Sequence, residues 1–420
     1  MADAIDGGEG LTIPPLSVAE AVGVVLSHTK PQPVLRVPLV DAVGHILAEE
    51  VVAPIPLPPW TNAAMDGYAV RADDIREARS DAPVSLRVVS AIAAGDAVAR
   101  ALQPGEAARI FTGAPVPAGA DSVVRQEDTD RGRDTVRICN GRDAGHNIRL
   151  EGTDLAAGDL ALPRGTTIGP HQLALLASLG VTHPLVHRRP RVAVLGTGDE
   201  VVDLDHPEEI VSRRRLGNSN GPAIEALVRE SGGVAVSLGL VGDDPSAIRE
   251  RLLAAGDADL LITAGGVSVG DHDHLRRVLA SLGATLHFTR VQVRPGGPTS
   301  CGVLPDGRLW IGLPGNPVSA MVTYELFARP VIRAMMGDPS PERQRFRVRL
   351  EESVHRNPRL AMWLRVRFTR PDDSGVMSAR LTGPQGSGAL TSVARSQGLI
   401  EIPAGEGSLV MGSMVTAIAW

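Results

Sequence analysis

Two patterns of hydrophobic and polar positions alternate between residues 190 and 338. Short apolar runs typical of buried strands are each followed by a stretch whose apolar residues lie three or four apart, as in helices. The predicted strands are Arg191–Leu195, Val234–Val241, Asp259–Thr263 and Leu286–Val293, and the predicted helices are Pro222–Glu230, Pro245–Ala255, Leu275–Leu282 and Val318–Met336. This β-α-β-α order predicts a mostly parallel sheet with helices on both faces.

The patterns on either side of this α/β region are different. Residues 60–150 contain short apolar runs interrupted by Gly, Pro and Asp, which predicts a β-rich module. Similar runs with Gly turns fill residues 345–420 and predict a small β-barrel or sandwich. We therefore expect a multidomain α/β protein with two β domains. The predicted divisions are 11–58 plus 147–188 as an N-terminal linker domain, 59–146 as the β-rich insert domain, 189–338 as the α/β domain, and 343–420 as the C-terminal β domain.

Composition narrows the class of protein. The 420 residues are 43% hydrophobic but only 3% aromatic, so the cores must consist mainly of Val, Leu, Ala and Ile. A net charge of −6 argues against a nucleic-acid binder. The two cysteines, Cys139 and Cys301, lack metal-ligand spacing and predict a reduced, cytoplasmic protein. No signal peptide or apolar run long enough to span a membrane is evident in the sequence.

A glycine-rich run after the third predicted strand carries the clearest candidate chemistry. Gly265, Gly266 and Ser268 lie where a buried strand turns into a helix, and backbone N–H groups at such a junction favour an anion such as phosphate. The carboxylates of Asp271 and Asp273 follow and would repel an anion unless a cation lay between them. Mg²⁺ typically bridges carboxylates to phosphate oxygens, so the run predicts a phosphate ligand with magnesium.

Histidines alternate with these two acids, at positions 272 and 274. Residues two apart do not share one face of a helix, so the four side chains cannot bind one transition-metal ion as a unit. We interpret His272 and His274 as solvated residues at the start of a helix.

Acidic residues also follow the first two predicted strands of the α/β region. Glu200 comes after the first, and Asp243 and Asp244 come after the second. The carboxyl ends of parallel strands meet at one edge of the sheet, where ligands bind in such folds. Asp244 before Pro245 is typical of a helix N-cap, which leaves Asp243 to face a ligand.

Two further features are consistent with an anionic substrate. In the run Leu313–Ala320, Pro317 fits the first helical position with Asn316 as its cap, and the turn offers the backbone N–H groups of Val318 and Ser319 to an anion. Arg290 and Arg294 lie four apart on a predicted strand, so both point to one face. They favour either an anionic substrate or a surface network of ion pairs.

Two glycine-containing motifs lie in the N-terminal half. Asn62–Arg71 contains an Asp-Gly pair between apolar residues, which ordinarily forms a hairpin turn. Arg109–Pro117 reads as a strand that ends in a Gly/Pro turn. Neither motif indicates a function by itself.

Taken together, these stretches resemble the MoeA/gephyrin E-domain family, the molybdopterin molybdenumtransferases. The likeness covers nearly the whole chain in order, and its AMDGYAV, GGVSVG and LPGNPVSA runs are specific in combination. The matching pieces are Asn62–Arg71, Phe111–Pro117, Asn147–Arg149 with Gly152 and Asp154, Thr197–Glu200, Thr263–Asp273 and Leu313–Ala320.

The resemblance implies a fold and an activity. The expected fold has a three-layer α/β molybdopterin-binding domain, similar to the MogA adenylyltransferases, a β-rich insert and a C-terminal β domain. The family's members are homodimers with a cleft between subunits. They insert molybdate into adenylylated molybdopterin, with Mg²⁺-dependent release of AMP, during molybdenum-cofactor biosynthesis. The resemblance also implies a molybdopterin adenylyltransferase and apo-molybdoenzymes as partners, and neither nucleic acid nor membrane.

The resemblance assigns roles to residues at matching positions. It implies that Asp243 and Asp273 bind magnesium, and that Arg365 and Ser387 match positions associated with molybdate and substrate. The acids and hydroxyl implied in catalysis are Asp66, Thr112, Asp154, Glu200, Asp243 and Asp273. The residues implied in substrate binding are Gly265, Gly266, Ser268, Arg290, Arg294, Pro314, Asn316, Pro317, Ser319, Arg365 and Ser387.

Three positions depart from the family pattern. Thr153 replaces a frequent acid, Gly297 a frequent lysine and Ala264 a frequent serine, which leaves the preference between molybdate and tungstate open. Two alternative functions also stay open. One is a non-catalytic paralogue that acts as a molybdopterin-binding or scaffold protein. The other is a molybdopterin adenylyltransferase that uses only the α/β domain.

Overall fold

A six-stranded sheet lies at the centre of the α/β region in the computed structural model, which describes residues 13–97, 100–266, 274–371, 373 and 375–420. Its strands, in spatial order, are Val234–Val241, Arg191–Thr197, Leu260–Ala264, Leu309–Leu313, Ser300–Val303 and Thr285–Phe288. The first four pair in parallel, Ser300–Val303 runs opposite to them, and Thr285–Phe288 pairs antiparallel with Ser300–Val303. The predicted mostly parallel sheet is confirmed, and its fourth parallel strand is the strand-like stretch that leads into the Leu313–Ala320 run.

The predicted strand Leu286–Val293 is confirmed only in its first residues. The run 286–293 leaves the sheet at Phe288, and Val293–Arg294 instead pairs in parallel with Ala361 and Met362 of the C-terminal region. The backbone turns between the two pieces, where the N–H of Val293 donates to the carbonyl of Val291 over 2.8 Å. The chain then returns to the α/β sheet at Ser300, so this excursion joins the two regions.

Helices cover both faces of the sheet, as predicted. Consecutive strand residues alternate between two cores, with Val192 and Val194 in one and Ala193 and Leu195 in the other. This is why the strands read as continuous apolar runs. The first core is covered by Val18–Ser27, Asn220–Glu230 and a continuous stretch made of Pro317–Thr323, a π-helical turn Tyr324–Ala328 and Arg329–Met335. The second core is covered by Pro245–Leu253 and His274–Ser281.

The C-terminal region is a barrel rather than a sandwich. Five strands follow one another around it, and the ring closes because Ala361–Phe368 pairs with neighbours on both sides. Their order is Ala361–Phe368, Ser378–Leu381, Phe346–Leu350, Met414–Ala419 and Gly398–Ile402. A pair of short strands, Val354–His355 with Ser408–Leu409, and the helix Leu390–Ala394 lie outside the ring.

The N-terminal half holds a five-stranded sheet and several short pairs. The sheet contains, in spatial order, Ser122–Arg125, Gly67–Val70, Glu106–Ile110, Val84–Ile92 and Thr135–Ile138. The short pairs are Val34–Arg36 with Leu185–His187, Val51–Val52 with Leu160–Leu162, and Asn62–Ala63 with Ile148–Arg149. The helices here are Ala72–Ile75 and Pro170–Ser178. No helix in the described ranges has the length and apolar character needed to cross a bilayer.

The hairpin predicted at Asp66 and Gly67 is not formed. The strand before this pair joins Ile148–Arg149, whereas the strand after it joins the five-stranded sheet. Gly67 is needed for close packing instead, because a Cβ atom there would lie 1.8 Å from the carbonyl oxygen of Val124. The turn predicted after Arg109 is present, and Gly113 within it has a φ of +82°.

Candidate functional site

The principal cleft of the α/β region opens at the carboxyl ends of its parallel strands. It has a volume of about 750 Å³ and lies where the strand order reverses, at the ends of Arg191–Thr197 and Leu260–Ala264. Ligands bind at this position in open α/β sheets because the loops on the two sides diverge there. Among the predicted site residues, the lining includes Glu200, Asp243, Gly265, Gly266, Pro314, Asn316 and Pro317.

The glycine turn forms the floor of this cleft. Gly265 has a φ of +99° and Gly266 a φ of +66°, a conformation that residues with a side chain rarely adopt. A Cβ atom on Gly265 would lie 2.5 Å from the carbonyl oxygen of Thr197, and one on Gly266 would lie 2.9 Å from its Oγ1. The N–H of Gly265 donates to the carbonyl of Leu313 over 3.1 Å, which fixes the turn against the next strand. Ser268 and Asp273 fall outside the described residues.

Two buried polar atoms of the lining have no hydrogen-bond partner among the described residues. They are Oγ1 of Thr197 and Oδ1 of Asn220. The amide nitrogen of Asn220 donates to the carbonyl of Gly315 over 2.7 Å, so its side chain is fixed with the oxygen unused. Buried polar groups normally have a partner, and two without one in the same cleft indicate a polar ligand.

Carboxylates gather on one side of the cleft. Asp243 and Glu200 line it, and the backbone N–H of Asp243 donates to the carboxylate of Asp199 over 3.0 Å. Partial burial, together with the negative charges of Asp199 and Glu200, raises the pKa of Asp243, while His274 lowers it. A carboxylate disfavoured in this way is stabilised by a bound cation.

The oxygen donors on this side fit magnesium better than a transition metal. Mg²⁺ takes one or two carboxylates and completes its shell with phosphate oxygens and water. Within the described part of the chain, the only group of three His, Cys, Asp or Glu residues whose ligand atoms lie within 4.8 Å of one another is His206, Glu208 and Glu209. These three lie at the short helix Pro207–Val211 and do not line the cleft.

The Gly-Asn-Pro turn lies on the opposite side of the cleft. Asn316 is the N-cap residue and Pro317 the first helical residue, as predicted, but the side chain of Asn316 makes no capping hydrogen bond. The N–H of Val318, predicted to face an anion, donates instead to the carbonyl of Ser387 over 3.2 Å. The side chain of Ser319 is 3% exposed and does not line the cleft. This turn therefore connects the cleft to the C-terminal region.

Arg290 and Arg294 do not lie on one strand. Arg290 falls in the turn after Phe288, whereas Arg294 belongs to the strand pair with the C-terminal barrel. Both side chains are exposed and neither lines the cleft, although Pro298, four residues after Arg294, does. The structure therefore contradicts the prediction that Arg290 and Arg294 lie on one strand and share a face.

Arg365 is buried rather than exposed to a ligand. Its guanidinium donates to Oγ of Ser392 and to the carbonyls of Pro384 and Gly386, so it holds the loop that carries Ser387. Burial lowers the pKa of Arg365 to about 10. Its Nη1 has no partner among the described residues. Arg365 therefore positions this loop, and Gly388 of the loop lines the cleft.

The remaining predicted site residues form a second group, the N-terminal motif group, made of residues 60–66, 111–117, 147–149 and 152–154. Backbone hydrogen bonds join the first three stretches, for example from Gly113 to Ala63 and from Ala64 to Asn147, whereas Gly152 and Asp154 donate to the carbonyls of Pro58 and Leu57, just before the first stretch. The backbone N–H and the hydroxyl of Thr112 both donate to Oδ1 of Asp66 over 2.7 Å.

These hydrogen bonds from Thr112 lower the pKa of Asp66. Asp154 is exposed, and its backbone N–H donates to the carbonyl of Leu57 over 2.9 Å. None of these residues lines the cleft, so one chain does not bring Asp66, Thr112 and Asp154 to Asp243.

Sequence reasoning missed two polar residues of the site, Thr197 and Asn220. The signal for Asn220 was the polar run Asn218-Ser219-Asn220 just before a helix. Asn218 fixes this segment, since its side chain donates to Asp203 and accepts from the N–H of Gly221. Thr197 begins the family-matching stretch Thr197–Glu200, but no role was assigned to it because a threonine at the end of a buried strand is common.

Family profiles match the chain along most of its length. One described as "MoeA N-terminal region (domain I and II)" matches residues 16–180. One described as "Probable molybdopterin binding domain" matches residues 193–334, and one described as "MoeA C-terminal region (domain IV)" matches residues 347–420. The three regions follow one another in the order that the sequence motifs indicate.

Similar proteins agree with these matches. A molybdopterin molybdenumtransferase from Nostoc sp. is 38% identical over 381 residues, covering 89% of this chain and 86% of that protein. Molybdopterin molybdenumtransferase 2 from Mycobacterium tuberculosis is 38% identical over 395 residues, covering 92% and 95%. The crystal structure of the molybdopterin biosynthesis MoeA protein from Pyrococcus horikoshii OT3 has a TM-score of 0.80 at 26% identity, covering 97% of this chain and 100% of that one. The chain belongs to the MoeA family and is an enzyme of molybdenum-cofactor biosynthesis.

Proposed function

We propose that this chain is a molybdopterin molybdenumtransferase that inserts molybdate into adenylylated molybdopterin with Mg²⁺-dependent release of AMP. The observation that carries the proposal is the cleft at the strand ends. It combines a glycine turn, two polar atoms without a hydrogen-bond partner among the described residues, and a group of carboxylates. A phosphoanhydride with a bound cation would satisfy all three, and the names of the relatives agree with that substrate class.

Each side of the cleft has a separate task in this proposal. The turn at Gly265 and Gly266 leaves room for a phosphate or for the AMP part of the substrate, and Thr197 and Asn220 bind its polar groups. Asp243 and Asp273 would hold magnesium, which would neutralise charge on the phosphate oxygens. The carboxylate of Glu200 lines the same cleft and would bind water or the metal's hydration shell.

We further propose that the enzyme is a homodimer whose cleft is completed by the second copy. Asp66, Thr112 and Asp154 do not line the cleft of their own chain, so a catalytic role for them needs a partner subunit that brings its own N-terminal motif group to it. Two kinds of partner are predicted from the family resemblance alone. One is a molybdopterin adenylyltransferase that supplies the substrate, and the other is the apo-molybdoenzymes that accept the product.

The test is AMP release from adenylylated molybdopterin, with and without Mg²⁺ and molybdate. Asp243→Asn should fold normally and lose about 100-fold or more of the rate, because it removes a carboxylate from the magnesium site. Asp273→Asn should lower the rate to a similar extent, because it removes the second proposed magnesium carboxylate.

Asp244→Asn is the matched control. Asp244 accepts from the N–H of Ala247 over 2.9 Å as a helix cap, and asparagine caps equally well. Molybdate-stimulated release that Asp243→Asn retains in full would refute the proposed site. Tight binding of the substrate without any release by the wild type would instead identify a non-catalytic paralogue.

A further inference from the structure

Only two aromatic side chains of this protein are exposed, and both belong to the N-terminal motif group. All eleven aromatic residues lie in the described ranges. Trp60 is 44% exposed and Phe111 is 38% exposed, whereas the other nine are buried or half-buried. Burying an aromatic side chain stabilises the fold, and nine of the eleven are at least half-buried. Two exposed rings in neighbouring stretches therefore indicate a binding surface.

The two rings are fixed in position by neighbouring groups. The indole Nε1 of Trp60 donates to the carbonyl of Gly113 over 3.3 Å, two residues after Phe111. The guanidinium of Arg109 lies over the ring of Phe111 at 5.5 Å from the centroid, and its Nη1 donates to the hydroxyl of Tyr68 over 3.1 Å. Each ring therefore has a contact that favours its present orientation, which lowers the entropic cost of binding a ligand against it.

A hydrogen-bond acceptor lies beside the rings. Asp66 is exposed, and both donors of Thr112 go to its Oδ1. No described residue donates a hydrogen bond to Oδ2. Because the hydrogen bonds from Thr112 favour the ionised carboxylate, Oδ2 stays an acceptor at neutral pH. Exposed Met65, at 43%, adds apolar surface next to Asp66.

We propose that Trp60 and Phe111 bind the fused heteroaromatic ring of the substrate by stacking, and that Oδ2 of Asp66 accepts a hydrogen bond from its aminopyrimidinone edge. This inference rests on the proposed function, since it assigns the pterin end of the substrate to the N-terminal motif group and leaves the nucleotide end to the α/β cleft. A pterin offers the two properties that this surface selects: a flat aromatic face and a row of N–H donors along one edge.

The kinetic test separates the π face from the apolar volume and from the indole hydrogen bond. Trp60→Ala should raise KM for adenylylated molybdopterin about 5- to 150-fold, the range produced by removing one stacking ring, with kcat nearly unchanged. Trp60→Phe also loses the hydrogen bond to Gly113 but keeps a ring, so it should recover most of this loss. Phe111→Leu keeps apolar volume without a π face and should behave like Trp60→Ala. Met411→Ala, which truncates a 70% exposed side chain on the C-terminal barrel, should leave KM unchanged.

A binding test that needs no turnover distinguishes failure of this inference from failure of the proposed function. Neopterin, a pterin with neither phosphate nor dithiolene, should quench the tryptophan fluorescence of the wild type, because Trp60 is its only exposed tryptophan among the described residues. The quenching should disappear in Trp60→Phe, while AMP binding in the α/β cleft stays within twofold of the wild type.

Each outcome has a defined meaning. Neopterin binding by a wild type that releases no AMP would support the inference and refute the proposed function. Equal KM values for Trp60→Ala, Phe111→Leu and the wild type would refute the inference and leave the function intact. Dissociation of the dimer by Trp60→Ala, measured by sedimentation with KM unchanged at saturating protein concentration, would also refute it and assign the rings to the subunit interface.

Discussion

Replacing Gly265 with alanine tests whether the floor of the cleft can be built from any other residue. Two separate costs follow from the geometry. The φ of +99° is unfavourable for a residue with a Cβ atom, at about 1–2 kcal/mol. The added Cβ would also lie 2.5 Å from the carbonyl oxygen and 2.8 Å from Oγ1 of Thr197, and such overpacking costs about 1–3 kcal/mol more.

Gly239 provides the matched control for this prediction. It lies on the neighbouring strand Val234–Val241 with a φ of +74°, but a Cβ atom there would meet nothing within 4 Å. Gly239→Ala therefore carries the conformational cost alone. In urea unfolding, Gly265→Ala should lower the free energy of unfolding by about 1–3 kcal/mol more than Gly239→Ala does.

Binding should separate the two variants as well. Relief of the clash in Gly265→Ala must move the end of the strand at Thr197, which lines the cleft, so affinity for AMP should fall about tenfold or more. Gly239→Ala should bind AMP like the wild type. Equal stabilities for the two variants, together with equal AMP affinities measured by calorimetry, would refute the reasoning.

Three further predictions follow from buried or hydrogen-bonded groups. Trp310→Phe should lower the free energy of unfolding by about 1–3 kcal/mol in urea titrations, because it leaves the buried hydroxyl of Thr263 without the indole donor 3.0 Å away. Thr112→Val removes one of the two hydrogen-bond donors to Asp66, so it should raise the pKa of Asp66 toward its ordinary value in an NMR titration. In the wild type, the stability that Asp66 contributes is present above the unfolded-state pKa of about 3.8. It is lost as the pH falls through the lower folded-state value. Burial raises the pKa of the Cys301 thiol to about 12, so Ellman's reagent at pH 8 should leave Cys301 unmodified until the protein is denatured, and early modification of both cysteines would contradict this.

The parts of the fold that could be predicted are those with a strong local pattern. The strand at Val234–Val241 and the helix that begins at Pro245 were visible because apolar periodicity and an Asp-Pro cap coincide there. The run 286–293 was misassigned because alternation of apolar residues does not reveal which sheet a strand joins. A change of sheet between Phe288 and Val293 leaves the same pattern as one long strand.

The candidate site was predictable in its glycines and acids but not in its spatial arrangement. Gly265 and Asp243 were recognisable because few other roles suit those residues at strand ends. The hydrogen bond from Val318 to Ser387 joins residues far apart in the sequence, and no periodicity encodes it. Burial of Arg365 was equally invisible, since an arginine normally indicates an exposed position. The domain divisions and the site roles stay predictions.

The chain leaves the α/β sheet after Phe288 and pairs with the barrel before it returns at Ser300, so the α/β region cannot be produced as a separate fragment without breaking a strand pair. A fragment that ends before the barrel would keep Val293–Arg294 but lose Ala361–Met362, the strand it pairs with. Its backbone groups would then form an open edge that invites pairing with other chains, and such a fragment should aggregate rather than behave as a smaller enzyme. The same connection passes through Pro298, which lines the cleft, so the cleft and the barrel are joined by one short stretch of chain.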